Sequence, residues 1–229
     1  MPELYPVGLV VAGRSCLVVG GGPVAARKAA GLLHCGARVT IVAAELGPDA
    51  AALAGCASIE RRGYIHGEAG RYQLVFTATD CASTNQAVFA DAEAAGVWVN
   101  SADDPQRCSF LLPAISRHGD VVVAVSTGGA SPALAGWLRN RLADALPARL
   151  EDLVALARCA RSRVRRRGYS TEGHDWLGLI DQLSALLAGG RCADAARAAY
   201  EFSAAASGQD GFGPVEEVAA VERFSSRPQ

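Results

Sequence analysis

Lysine is almost missing from this sequence: of 22 basic residues only Lys28 is a lysine, and the rest are arginines. An excess of either charge is missing too, because 22 Lys and Arg stand against 23 Asp and Glu, for a formal net charge of −1 and a pI near 6.4. Without a global basic field, nucleic acid and anionic bilayers are poor partners and a small molecule is the default. The seven cysteines (Cys16, Cys35, Cys56, Cys81, Cys108, Cys159 and Cys192) contain no C-x-x-C pair. Their odd number fits neither a disulfide framework nor a zinc ribbon, and they read as reduced cytosolic thiols. The N-terminus lacks a basic start followed by a long apolar stretch, and no apolar run reaches the roughly 18 residues that a membrane helix needs. The expectation is therefore a soluble, cytoplasmic protein with no membrane partner. No internal repeat is found.

What is present is core-forming material. The 229 residues are 50% hydrophobic and 20% charged, with a mean hydropathy of +0.16. That is a globular composition, long enough for one large domain or two small ones. From residue 15 to 100, short β-branched runs alternate with alanine-rich stretches, the signal for βαβ units around a parallel sheet. Strands are expected at 16–19, 39–42, 58–61, 74–77 and 97–99, with helices at 23–35, 48–53 and 83–95. Residues 103–113 then turn irregular, and VVVAV at 121–125 reads as one more strand. Ser131 before Pro132 is a strong helix start, N-cap followed by proline at the first helical position, for a helix over 132–146. Amphipathic helices are expected over 149–167, 176–187 and 192–206, with a fraying tail.

The segment VVGGGPVA matches G-x-G-x-x-G/A at Gly20, Gly22 and Ala25. It follows a predicted strand and opens a predicted helix, as the mechanism requires: Gly20 for the tight turn, Gly22 for close approach to a pyrophosphate, Ala25 for helix-on-strand packing. The helix N-terminus would hold the anion. An acid ending the second strand should grip the adenosine ribose. The first carboxylate there is Glu45, slightly late, either a ribose ligand or a solvent-facing loop acid. Arg38 precedes the strand and does not replace that acid, so NAD is favoured over NADP.

In open α/β sheets ligands lie across the carboxyl ends of the strands. Thr77-Ala78-Thr79-Asp80 follows the fourth strand and Asn100-Ser101-Ala102-Asp103-Asp104-Pro105 the fifth, two polar loops at one edge. Of Asp103 and Asp104, one could be a general base and the other a turn cap before proline, or both could be turn chemistry. The loop Ser126-Thr127-Gly128-Gly129-Ala130-Ser131 is either a backbone receiver for carboxylates or a connector. His66 and His118 lack partners at metal-ligand spacing and read as surface residues, with no metal site expected. The six arginines from Arg158 to Arg167 are a solvated helix face or a polyanion patch.

YPVGLVVAGRSCLVVGGGPVAARKAAGLLHCGARVTIVAAEL, FTATD and NSADDPQRCSFLLPAISRHGDVVVAVSTGGASPALA together resemble the precorrin-2 dehydrogenase and sirohydrochlorin ferrochelatase family, which includes the N-terminal module of sirohaem synthase. The resemblance covers residue 4 to about residue 146. It implies oxidation of precorrin-2 to sirohydrochlorin with NAD, in some members followed by ferrous iron insertion. It further implies a Rossmann-type α/β domain over 1–112, a dimerisation segment over 113–146 and a small helical domain over 147–229, in an intertwined homodimer. The family's NAD contacts fall on Pro23, Val24, Ala44 and Glu45, and its essential aspartate on Asp103 rather than Asp104. Gly20, Gly22, Thr79 and Asp80 complete the expected cofactor site, and Asn100, Ser126, Thr127 and Gly128 the expected tetrapyrrole contacts. Arg117 and Arg139 are further candidates for its carboxylates. Many members carry a lysine where this chain has Ala130, and Thr127 stands in place of a serine. Two other readings are a dehydrogenase without chelatase activity and a non-catalytic NAD-sensing domain. A short-chain oxidoreductase is disfavoured, because no Tyr-x-x-x-Lys pair can be built around Lys28.

Overall fold

The computed structural model describes residues 3–102 and 104–207. The chain divides into two compact units, each treated by itself: residues 3–113 with Ser126–Ser131, and Ala114–Val125 with the chain from Pro132.

In the first unit five strands run parallel: β1 (Ser15–Val19), β2 (Arg38–Val42), β3 (Ser58–Glu60), β4 (Leu74–Thr77) and β5 (Trp98–Ser101). Their order is β3-β2-β1-β4-β5. Helices α1 (Pro23–His34), α2 (Pro48–Ala51) and α3 (Ala82–Ala94) connect them. Because β1 is covered on both faces it reads as an unbroken apolar run. Cys16 and Val18 join Ala25, Ala29, Leu32, Ile41 and Phe76 in one core layer, while Leu17 and Val19 join Val42, Val75, Val88, Ala92 and Val99 in the other. Helix α1 starts with proline at its first position and stops at Gly36, whose φ of 77° suits glycine. The chain leaves β1 toward β2 on one side and reaches β4 on the other, which opens a crevice at the carboxyl ends of β1 and β4.

The second unit holds a strand the sequence pattern did not reveal. β6 (Ala114–His118) pairs antiparallel with β7 (Val121–Val125) around Gly119, which adopts φ 57°. Helix α4 (Pro132–Asp144) lies against this hairpin. Three further helices, α5 (Leu150–Arg166), α6 (Trp176–Ala188) and α7 (Cys192–Ala205), bury Leu153, Leu156, Leu179, Leu183, Leu187, Ala195 and Ala199 among themselves. Asp175 caps α6, accepting from the Gly178 N–H at 2.9 Å, and Trp176 rests on Phe202 with ring centroids 4.8 Å apart. Two arginines of α5 are engaged inside this unit: Arg158 pairs with Asp120, and Arg163 lies over the Tyr200 ring and donates to Ser203. The expected fraying of the C-terminal tail concerns residues outside those described. No described helix is long and apolar enough to cross a membrane.

Candidate functional site

The glycine turn between β1 and α1 is held from both sides. Gly20 N–H donates to the Val42 carbonyl at 2.9 Å, and Gly47 N–H donates to the Gly21 carbonyl at 2.9 Å. Gly20 has φ 128°, and a Cβ there would collide with the Ala78 carbonyl in the turn after β4. A Cβ on Gly21 would collide with the Glu45 carbonyl and lie 3.1 Å from the Ala43 Cβ. Gly22 differs, since a Cβ placed on it meets nothing within 4 Å. The sequence motif assigned no role to Gly21, yet this residue lets the turn after β2 close against the glycine loop. Residues 20–24, 43–47 and 77–80 are thus gathered at one edge of the sheet, bringing together Gly20, Gly22, Pro23, Val24, Ala44, Glu45, Thr79 and Asp80. Ala44, Glu45 and Asp80 are exposed there.

This edge fits a dinucleotide phosphate. Gly22 is the N-cap of α1 and supplies no capping side chain, and the first turn carries no acid. Backbone N–H groups at the positive end of the helix dipole therefore lack a side-chain acceptor, and the space beside Gly22 is open.

Beyond β4 the polar side chains are ordered around Asn85. Thr77 and Thr79 both donate to its Oδ1, Thr79 at 2.7 Å, and its Nδ2 donates to the Thr79 carbonyl at 2.8 Å. Cys81, at the N-cap of α3, has its thiol lowered to about 7 by the Ser83 hydroxyl, then by the Thr84 hydroxyl and N–H. The Ser101 hydroxyl, paired in register with Thr77, is the one buried side-chain oxygen among the described residues without a hydrogen-bond partner. Leaving such a group unmet costs about 1–3 kcal/mol.

Asn100, on β5, is buried and fully engaged. Its Oδ1 accepts from Lys28 Nζ at 2.9 Å, and its Nδ2 donates to the Phe110 carbonyl at 3.0 Å and toward Cys108 Sγ at 3.4 Å. Asp104 caps the short 3-10 turn Pro105–Arg107, accepting from the Gln106 N–H, and pairs with Arg107. Asp103 lies outside the described residues. In the loop Ser126–Ser131, Gly128 and Gly129 have φ 63° and 85°. The Gly128 N–H donates to the Ser126 hydroxyl at 3.2 Å. The Thr127 hydroxyl is spent within the loop, donating to the Ser131 carbonyl at 3.0 Å and accepting its N–H at 3.1 Å.

His118 contacts the Ser116 hydroxyl, whereas His66 pairs with the buried carboxylate of Asp91, a partner its loop sequence did not suggest. Asp91 also accepts from the Tyr64 hydroxyl at 2.7 Å and the Gly67 N–H at 2.6 Å. Among the described residues no group of three His, Cys, Asp or Glu could hold a metal ion.

Comparison with known proteins places these features. A family described as "Putative NAD(P)-binding" matches residues 7–114, and one described as "Sirohaem biosynthesis protein central" matches residues 119–145. The siroheme synthase of Methylococcus capsulatus is 38% identical over 213 residues, covering 91% of this chain and 45% of that protein. That of Nitrosococcus oceani is 42% identical over 167 residues, covering 72% of this chain and 36% of that protein. This chain therefore spans less than half the length of either relative. Among solved structures, SirC, precorrin-2 dehydrogenase, superposes with a TM-score of 0.68 at 22% identity, covering 90% of this chain and all of that one.

Proposed function

Since this chain belongs to the precorrin-2 dehydrogenase and sirohydrochlorin ferrochelatase family, that of the N-terminal module of sirohaem synthase, we propose that it oxidises precorrin-2 to sirohydrochlorin with NAD. The observation that carries the reading is the uncapped start of α1, with open space at Gly22, inside a sheet of order β3-β2-β1-β4-β5. Gly20, Gly22, Pro23 and Val24 would hold the pyrophosphate, Ala44 and Glu45 the adenosine ribose, and Thr79 and Asp80 the far half of the dinucleotide. NAD, when bound, supplies a hydride acceptor.

The remaining chemistry falls to this chain. Oxidation removes a hydride and a proton from the macrocycle, and Asp103 is the base that takes the proton. Substrate carboxylates are received by the Ser126, Thr127 and Gly128 backbone, whereas Asn100, expected as a further contact, is buried with its amide spent on Lys28 and the Phe110 carbonyl. In this reading, residues 1–112 bind NAD, 113–146 form a dimer contact and 147–229 a helical domain. The dimer is supported by Ile115 and Val122, which share an exposed face of the β6–β7 hairpin, and by Trp137 and Leu142 of α4, which are half exposed or more. Ferrous iron is a second substrate, inserted after pyrrole protons leave to the same base. The seven free cysteines accord with a reducing, cytoplasmic setting.

The test is Asp103→Asn. It should bind NAD as the parent does while NADH formation from precorrin-2 falls by about 100-fold or more, the range of general-base contributions. Unchanged turnover would remove Asp103 from this role.

A further inference from the structure

The structure assigns Lys28 the task of a positioning residue, one that ties the nucleotide-binding helix α1 to the turn between Asn100 and Phe110, the stretch of sequence that carries the proposed base. The inference rests on the function proposed above and concerns a residue with no part in it so far.

The contact is specific and spans the fold. Lys28 and Asn100 are 72 positions apart, and their 2.9 Å hydrogen bond joins α1 to β5. The ammonium also lies 5.1 Å from the centroid of the Phe76 ring on β4. Asn100 passes the restraint on, since its amide donates to the Phe110 carbonyl at the far end of the turn. Asn100 and Cys108 form an isolated antiparallel bridge. The turn is closed further by the Cys108 sulfur, 3.3 Å from the Ser101 carbonyl and 3.2 Å from that of Asp104, and by Ser109, whose N–H donates to the Val99 carbonyl at 2.8 Å. In sequence, Asp103 falls between the two ends that Asn100 pins.

Stability alone does not account for a lysine here. Elsewhere α1 buries alanines and Leu32, and a half-buried ammonium costs desolvation that methionine at the same place would avoid. The charge also reaches into the turn. Burial pushes the Cys108 thiol up while the Lys28 cation pulls against it. Helix α1 therefore presents its N-terminus to the nucleotide and Lys28 to the turn, so one rigid element sets both.

Lys28→Met and Asn100→Ala test this in the full chain, with NAD affinity, kcat, KM and the rate of Cys108 alkylation, read by peptide mass, as observables. Lys28→Met should keep NAD affinity and KM, lower kcat by about 100-fold, as for a misplaced catalytic group, and, with the rate corrected for the thiolate fraction that loss of the cation lowers, speed Cys108 alkylation by about tenfold through local opening. Asn100→Ala should do the same to the turn, and Lys28→Arg should recover part of kcat. Unchanged Cys108 alkylation in both variants overturns the proposal, as does an unchanged kcat or a loss of NAD affinity that parallels the loss of kcat. If Asp103→Asn retained turnover while Lys28→Met lost it with faster alkylation, the assignment of Asp103 would fail and the seating of the turn by Lys28 would stand.

Discussion

Gly20, Gly21 and Gly22 are consecutive, and each is a glycine for a different reason. Gly20 combines φ 128° with the Ala78 carbonyl where a Cβ would be, Gly21 abuts the Glu45 carbonyl, and Gly22 faces open space at the start of α1. The difference predicts opposite phenotypes. Gly20→Ala should lower stability by about 1–3 kcal/mol from backbone strain alone, with the clash adding to it. Gly22→Asp should leave the melting temperature unchanged or raise it slightly, since aspartate is a good N-cap. It should also weaken NAD binding by about tenfold or more, because a carboxylate would occupy the anion's place. Thermal unfolding alongside NAD titration checks both. Were Gly22→Asp to bind NAD normally, the pyrophosphate would lie elsewhere.

At the scale of elements, the segment between β3 and β4, which forms one short 3-10 turn at Glu68–Arg71, is held by two buried acids. Glu68 joins Arg62 and accepts the Ile65 N–H at 2.8 Å, and Asp91 of α3 takes Tyr64, Gly67 and His66. Burial raises both carboxyls, but hydrogen bonds and nearby cations outweigh it, and both end below their ordinary range. Groups whose folded value is depressed contribute stability that is full above their unfolded value and is lost as pH falls through the folded one. The melting temperature should thus hold above about pH 5 and drop on acidification below about pH 4. Tyr64→Phe should cost about 1–2 kcal/mol by removing the hydroxyl that joins Asp91 to the Ala69 N–H. A melting temperature independent of acid over that range would contradict the assignment.

These elements also show what the sequence exposes. Strands β1, β2 and β4 were legible because burial on both faces leaves an apolar run, and α1 because proline and Gly36 bracket it. β6 was not, because Ser116, Arg117 and His118 interrupt its apolar pattern and only pairing with β7 reveals it. The glycine turn was readable since its chemistry is local. The pairs Lys28–Asn100 and His66–Asp91 were not, because contacts between residues so far apart in sequence leave no period or motif.

At the scale of the whole molecule, a sheet unit carries the candidate nucleotide site, and a second unit carries a two-stranded hairpin with apolar side chains on its outer face. Helix α4 packs against the hairpin, and in the proposed dimer its outer face would be covered by a second copy, burying apolar side chains that are otherwise exposed. Trp137→Glu places a charge at an aromatic of this surface that is 57% exposed. It should shift the chain from dimer to monomer in light scattering at micromolar concentration without lowering NAD affinity. A parent chain that is already monomeric would contradict the dimer.

In the proposed function this chain performs an oxidation and does not merely bind a nucleotide. The most direct measurement is anaerobic mixing of precorrin-2 with NAD and the protein, following NADH and sirohydrochlorin together by absorbance. Both should appear at the same rate in equal amounts, and neither should form without the protein. NAD binding with no NADH formed would contradict this function and would leave a nucleotide-binding module without chemistry.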